Sequence, residues 1–264
     1  ISLSHKVAKT IRFVSRGETT CVDAYLTPIL RAYILKLSKR LPEVPIEFMQ
    51  SHGGLVSAQL FSGKNSVLSG PAGGVVGTAR TAEKNSRKSV IGFDMGGTST
   101  DVCHYAGQYE RQFENEVNGV KLNIPMMAIE TVAAGGGSVV DFDGVNMRVG
   151  PESAGSNPGP ACYKKGGPLT VTDCNVLLGK IRPGYFPKTF GVDNKQEIDT
   201  AEVMKKFESL TKAINDSSDT DMSSEDVAEG FIHIAVSKMA DAIRKISTQK
   251  GIDLSNYVLN CFGG

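Results

Sequence analysis

The chemistry in this sequence concentrates in Val90-Ile91-Gly92-Phe93-Asp94-Met95-Gly96-Gly97-Thr98-Ser99-Thr100-Asp101-Val102. An apolar run that ends in an acid reads as a buried strand, and Asp101-Val102-Cys103-His104-Tyr105 resumes a strand-like alternation after the glycine pair. Two glycines at the turn bring bare backbone N–H groups against whatever lies above it, and such a concavity favours an anion. Thr98, Ser99 and Thr100 add hydroxyl donors. Two acids beside a bare phosphate are wasteful, whereas beside a phosphate carrying Mg²⁺ they are natural ligands. The stretch therefore reads as a metal–nucleotide phosphate hairpin, with Gly96, Gly97, Thr98, Ser99 and Thr100 at the phosphates. Asp94 is the catalytic candidate, placed at Mg²⁺ or at the attacking water. Asp101 either joins it at the metal or caps the hairpin through its own backbone.

The elements that must position this hairpin follow from the flanking residues. Residues 1–16 alternate loosely, as a strand or an irregular lead-in. Thr19 to Arg40 has helical spacing, with Pro28 as a kink or a late start. Ile46 to Met49 reads as a short strand leading to a loop with His52, and Gly70 to Ala82 as a helix rich in small residues. Those glycines lack the G-x-G-x-x-G spacing of a dinucleotide turn, and Pro71 intrudes, which disfavours an NAD-binding protein. Tyr109 to Ile129 alternates as a meander, Ala133 to Ser138 is a second glycine-rich turn, and Asp143-Gly144 marks a hairpin. Residues 150–168 form a long Gly/Pro-rich loop, a kind that is usually functional when ordered. A short helix capped by Thr172 or Asp173 follows, then a helix from Glu202 to Ile214. Ser223-Ser224-Glu225-Asp226 is a capping box opening a long amphipathic helix with Gly251 as its stop, and Tyr257 to Phe262 reads as a final buried strand.

The Asp94–Asp101 segment resembles a phosphate motif of the actin, Hsp70 and sugar-kinase ATPase superfamily. Leu68–Gly77, Ala133–Ser138, Val149–Gly155, Asn157–Tyr163 and Gly167–Asp173 together resemble the hydantoinase/oxoprolinase family, nearest its ATP-dependent 5-oxoprolinase branch, over essentially the whole chain. The resemblance implies an α/β fold: a ribonuclease-H-like lobe of the actin/Hsp70/sugar-kinase type with an inserted β-rich portion. It divides the chain into an interlobe, cleft-facing segment at 1–88 and a phosphate-hairpin lobe at 89–264. ATP and Mg²⁺ are the implied cofactors, with Asp94 and Asp101 at the metal. Gly135, Gly136 and Gly137 form either a ligand loop or a tight turn, and Gly263 and Gly264 lie beneath the adenosine. The implied activity is ATP-dependent opening of 5-oxo-L-proline to L-glutamate, releasing ADP and phosphate, within glutathione metabolism. Another ATP-dependent member of the family (a hydantoinase or a ketone carboxylase subunit) and a nucleotide-binding module inactive without its partner lobe are the alternatives.

Composition sets the outer bounds. The 264 residues, 40% hydrophobic and 22% charged, suffice for a sizeable core. A net charge of +1 gives no electrostatic footprint for nucleic acid or a membrane surface. No apolar run approaches the roughly 20 residues that span a bilayer. Five cysteines without a CxxC argue against a disulfide framework or a structural zinc site and for a reducing compartment, most simply the cytosol. The absence of an initiator Met and the stop after a glycine pair suggest a piece of a longer polypeptide, whose remaining N- and C-terminal parts complete the site. A small cyclic amide is the expected substrate and a homo-oligomer the expected assembly. Glu152, Cys162, Lys164, Lys165 and Asp173 carry weaker signals; for Cys162 the expectation is a packed small side chain. His5, His104 and His233 carry none.

Overall fold

The computed structural model describes residues 1–117 and 119–263, so Gly264 lies outside the described residues. In chain order the elements begin with α1 (Ser4–Val7), α2 (Phe13–Arg40), β1 (Glu47–Met49), β2 (Leu55–Ser57) and α3 (Ser69–Lys84). They continue with β3 (Val90–Met95), β4 (Thr100–Tyr105), β5 (Arg111–Gln112), β6 (Asn115–Val117), β7 (Val120–Leu122), β8 (Met126–Met127) and β9 (Ile129–Val132). The rest are β10 (Ser138–Phe142), β11 (Met147–Ser153), α4 (Val171–Leu177), α5 (Thr200–Ser218), α6 (Ser224–Ile246) and β12 (Val258–Gly263). The result is a mixed α/β fold, and its four-stranded sheet has the order β12-β3-β4-β9. The chain forms two compact units that alternate along the sequence: residues 1–92, 103–129 and 254–260 in one, residues 93–102, 130–253 and the segment from Cys261 in the other.

The first unit is held by α3. Small residues on one of its faces are buried: Ala72 and Val75 pack with Cys103 and Met127, and Ala79 and Ala82 pack with Val90 and Tyr105. The close approach needs a bare backbone at Gly92, where a Cβ would lie 2.5 Å from Cys103 Sγ and 2.7 Å from Thr78 Oγ1. The small-residue run is thus a packing surface, in keeping with the case against a dinucleotide turn. The meander of short antiparallel pairs is present, β5 with β8 and β6 with β7. Two expectations for this unit fail. The lead-in is a one-turn helix, and α2 starts at Phe13, where uncapped Arg12 and exposed Phe13 and Val14 give no amphipathic start signal. Pro28 sits inside the continuous helix, so it does not mark a late start.

The second unit carries the larger core, with Val203, Phe207, Val227 and Phe231 wholly buried around Val149, Cys162 and Cys174. The β10–β11 hairpin turns where expected: Asp143 Oδ1 accepts from Val145 N at 2.9 Å and Asn146 N at 2.8 Å, and Gly144 takes φ +93°. Helix α6 opens on the capping box read from the sequence, Ser223 with Asp226 at 2.9–3.1 Å through backbone N–H groups. It ends at Ile246, and Gly251, in the left-handed region, instead terminates the short turn after it. The cap of α4 is Thr170, not Thr172 or Asp173, because Asp173 is the acid three residues on that completes a second capping box. Strand β12 is also more open than its apolar sequence suggests, with Leu259, Cys261 and Phe262 exposed.

Candidate functional site

The hairpin is closed by Gly96 N donating to Ser99 O at 2.9 Å, so that Gly97 and Thr98 form its exposed tip. Thr100 is fully buried, and its hydroxyl donates to Ala134 O at 2.6 Å. Asp94 is the last residue but one of β3 and Asp101 the second residue of β4, so the two carboxylates flank the turn. Partial burial pushes the Asp94 carboxyl above its ordinary range, and the charge of Asp101 pushes it further. Asp101 Oδ1 accepts from the Thr131 hydroxyl at 2.5 Å.

The second glycine loop lies directly along this hairpin. Gly136 N donates to Gly96 O at 3.0 Å and Gly137 N to Gly97 O at 2.6 Å, while Gly135 N is taken by Ser138 Oγ at 2.8 Å. All three N–H groups are committed to protein acceptors, so the loop acts as a brace behind the turn. The carbonyl of Gly136 accepts from both Thr172 N and Thr172 Oγ1 at 2.8 Å, tying the same loop to the start of α4. The contact is backbone on backbone: a Cβ at Gly135 would lie 2.7 Å from Gly96 O and Ser99 N, and one at Gly137 2.8 Å from Gly97 O. Backbone neighbours cannot rotate away. Gly135→Ala should therefore cost about 1–3 kcal/mol, the usual penalty of overpacking, and lower Tm in a thermal melt.

Gly263 reaches the same place from β12. It takes φ +99°, and a Cβ there would run into Met95 O and lie 2.6 Å from Asp94 Oδ1. Gly96, Gly97, Asp94, Asp101, Gly135–Gly137 and Gly263 are thus gathered around one turn.

Among the described residues no group of three or more His, Cys, Asp or Glu side chains could hold a metal ion. A closed protein cage is therefore absent from these residues. The donor set present, two carboxylates beside a bare turn, fits Mg²⁺, which is commonly held by one or two carboxylates with phosphate oxygens and waters completing its shell.

The other residues raised by the sequence either make protein contacts or lie exposed. Asp173, wholly buried, accepts from Ala161 N at 3.0 Å, Cys162 N at 2.8 Å and both Thr170 N and Thr170 Oγ1 at 2.9 Å. It staples the Gly/Pro-rich loop to α4. Cys162 is buried, its thiol pushed up by burial and by Asp173, and Cys174 is pushed up to about 12 for the same reasons. Neither is a nucleophile in this state. Lys164 faces Asp199 at 3.9 Å, Lys165 donates to Asn194 at 3.2 Å, and Glu152 is exposed. His52 Nδ1 accepts from Gly54 N at 3.3 Å within its own loop. His104, without any sequence signal, is buried between Glu110 at 2.8 Å and Tyr257 at 2.7 Å. Its partners, six and 153 residues away in sequence, explain why no local pattern marks it.

The family model for hydantoinase/oxoprolinase matches residues 16–264. The chain belongs to the hydantoinase/oxoprolinase family. This family member is 46% identical to 5-oxoprolinase 1 of Arabidopsis thaliana, an alignment that covers 100% of the chain and 22% of that relative. It therefore spans about a fifth of the relative's length. Its fold matches acetone carboxylase, solved nucleotide-free in a study of ATP-dependent acetone carboxylation, with TM-score 0.83 and 27% identity, covering 98% of the chain and 36% of that structure. It also matches ATP-dependent caprolactamase from Pseudomonas jessenii with TM-score 0.75 and 30% identity, covering 99% and 38%.

Proposed function

We propose that this hydantoinase-family segment forms the phosphate-binding part of an enzyme that hydrolyses 5-oxo-L-proline to L-glutamate at the expense of ATP. The observation that carries the reading is the pair of carboxylates, Asp94 and Asp101, flanking a glycine turn braced from behind by Gly135–Gly137. The high identity to a 5-oxoprolinase supports the substrate, and the ATP-dependent relatives support the nucleotide. In this reading residues 89–264 are a ribonuclease-H-like lobe of the actin/Hsp70/sugar-kinase type, and residues 1–88 are its helical interlobe segment. The other parts of the polypeptide supply the second phosphate loop and the rest of the substrate site. The full enzyme is a cytosolic homo-oligomer.

The residues can be given roles. The Gly97–Thr98 tip offers backbone N–H groups and hydroxyls, including Ser99, to the phosphates, with Gly96 and Thr100 holding the turn in shape. Gly263 keeps a side chain away from Asp94 and the end of β3; Gly264 belongs to the same glycine pair in the sequence. Asp94 and Asp101 would hold Mg²⁺, which when bound neutralises charge on the transferred phosphoryl and orients it. Asp94 is placed to align the phosphoryl acceptor.

A lactam is a poor electrophile because its nitrogen donates into the carbonyl. Transfer of the γ-phosphoryl of ATP to the lactam oxygen breaks the bond to ADP and weakens that resonance. Water then adds to the ring carbon, the C–N bond breaks, and a second water releases phosphate from the acyl group, leaving glutamate.

Glutamate and phosphate formation by the full-length protein, with ATP and with 5-oxo-L-proline, caprolactam or hydantoin, tests the reading. Glutamate formed only with ATP supports it. Loss of ATP without 5-oxoproline, or faster turnover of another cyclic amide, overturns the substrate assignment. The caprolactamase likeness makes a different cyclic amide the second reading.

A further inference from the structure

Strand β9 lies next to β4 in the sheet, and Thr131 of β9 reaches across to Asp101 of β4. The Thr131 hydroxyl donates to Asp101 Oδ1 at 2.5 Å. An ionised carboxylate only accepts, so this hydroxyl proton has its direction fixed toward Asp101. One carboxylate oxygen is thereby held, and the other remains for a cation or a water. The same segment continues into Ala134, which accepts from Thr100, and into Gly136 and Gly137, which bond to Gly96 and Gly97. Both ends of the hairpin and its turn are therefore registered against one neighbouring stretch, residues 131–137. Within that stretch Thr131 supplies the side chain that touches one of the two acids.

We propose that Thr131 is a positioning residue for the metal–nucleotide site, acting through Asp101. This rests on the reading of Asp94 and Asp101 as the Mg²⁺ carboxylates and adds a residue outside that set. A purely structural role predicts something different. Thr131 is exposed, and a cross-strand pair in water contributes little to stability. Replacing it by valine keeps the β-branched shape that suits a strand and removes only the hydroxyl. The fold should tolerate that change, and the orientation of Asp101 should not. Losing an outer partner of a metal ligand typically weakens metal affinity by about 10–100-fold.

The test uses Mn²⁺ as the probe, followed by electron paramagnetic resonance during titration into the full-length protein with ADP. Wild type, Asp94→Ala, Thr131→Val and Thr131→Ser are compared, each with a thermal melt. The expected result is Mn²⁺ binding about tenfold weaker in Thr131→Val, wild-type affinity in Thr131→Ser, and unchanged Tm in both. In steady state, Thr131→Val should raise KM for ATP at limiting metal more than it lowers kcat. Loss of Mn²⁺ binding in Asp94→Ala, together with wild-type affinity in Thr131→Val, overturns the positioning role and leaves the site reading intact. Undiminished binding in Asp94→Ala overturns the site reading itself, and this proposal with it. A Tm loss in Thr131→Val that Thr131→Ser does not share, with equal Mn²⁺ affinity in all folded forms, assigns Thr131 to the fold alone and also overturns the proposal.

Discussion

Asp94→Asn is expected to lower ATP-dependent turnover on the order of 10³-fold and, in the nucleotide-free and metal-free protein, to raise Tm. The first effect follows from removing a carboxylate that would hold the Mg²⁺ neutralising charge on the transferred phosphoryl; single pre-organised electrostatic groups contribute about 10²–10³-fold. The second follows from the direction of the Asp94 shift. Burial, and then the charge of Asp101, raises its native value above the ordinary carboxylate value that it has when unfolded. Below both values the group is protonated in both states and contributes nothing. Between them the native state holds more protons, so stability falls as pH rises through that window. Above the native value the cost is fully present. At neutral pH the amide removes that charge, while at acid pH wild type and variant should converge. Melting curves between about pH 3 and 8 read this directly, and a variant less stable than wild type at neutral pH would contradict the assignment. A residue that costs stability while serving a site is the usual form of the trade between activity and stability.

Asp173→Ala is expected to be the most damaging single substitution away from the hairpin. The carboxylate is wholly buried and receives three backbone N–H groups and one hydroxyl. Truncation leaves Ala161 N, Cys162 N and Thr170 N without an acceptor, at about 1–3 kcal/mol for each buried group that no water reaches. Allowing for relaxation, a total loss of about 3–5 kcal/mol is expected, which places it in the exceptional tail of single substitutions. Asp173→Asn should fall between the two, because its amide keeps one accepting oxygen and turns an NH₂ toward a donor. Thermal melts order the three proteins. In addition, protease cleavage within residues 150–168 should accelerate in Asp173→Ala, since this side chain ties that loop to α4. Equal cleavage in wild type and variant would show that the loop is held by other means.

The sequence revealed what is local. The β3–turn–β4 hairpin shows itself because an apolar run, a glycine pair and a resumed alternation are all contained in sixteen residues, 90–105. Helix α6 shows itself because its cap and its periodicity agree. The cap of α4 was within reach, since Thr170 and Asp173 have the spacing of a capping box, but Thr172 and Asp173 lie nearer the apolar residues and draw attention first. The start of α2 could not be read, because its first turn has no capping side chain and leaves Phe13 and Val14 exposed. Pro28 does not mark the start of α2, although proline is favoured at a first helical position, because the helix runs through it from Phe13. Strand β12 looked buried from its apolar residues alone; apolar composition does not fix which side of a strand is covered.

The site was legible in its residues and not in its arrangement. Asp94, Gly96, Gly97 and Asp101 are neighbours in the chain, so their convergence is assured by the turn. The contact of Gly135–Gly137 with that turn, and the bond from Thr131 to Asp101, depend on strand order across about thirty residues, |i−j| = 30 for the latter. Strand neighbours are a tertiary fact, and no spacing rule within one segment encodes them. The commitment of the Gly135, Gly136 and Gly137 N–H groups is of the same kind. Sequence identifies them as available donors, and only the fold shows which acceptors they meet.

The backbone-on-backbone contact between Gly135, Gly137 and the hairpin has a consequence for how this site can change. Where two side chains meet, a substitution on one can be offset by a smaller partner on the other, and a pocket can drift in small steps. Two bare backbones offer no such partner. In a saturation library these two positions should give a binary readout, glycine or impairment, with no graded series and no compensating second change nearby. Novel substrate preference would then have to be sought in side chains elsewhere, with the phosphate turn inherited unchanged.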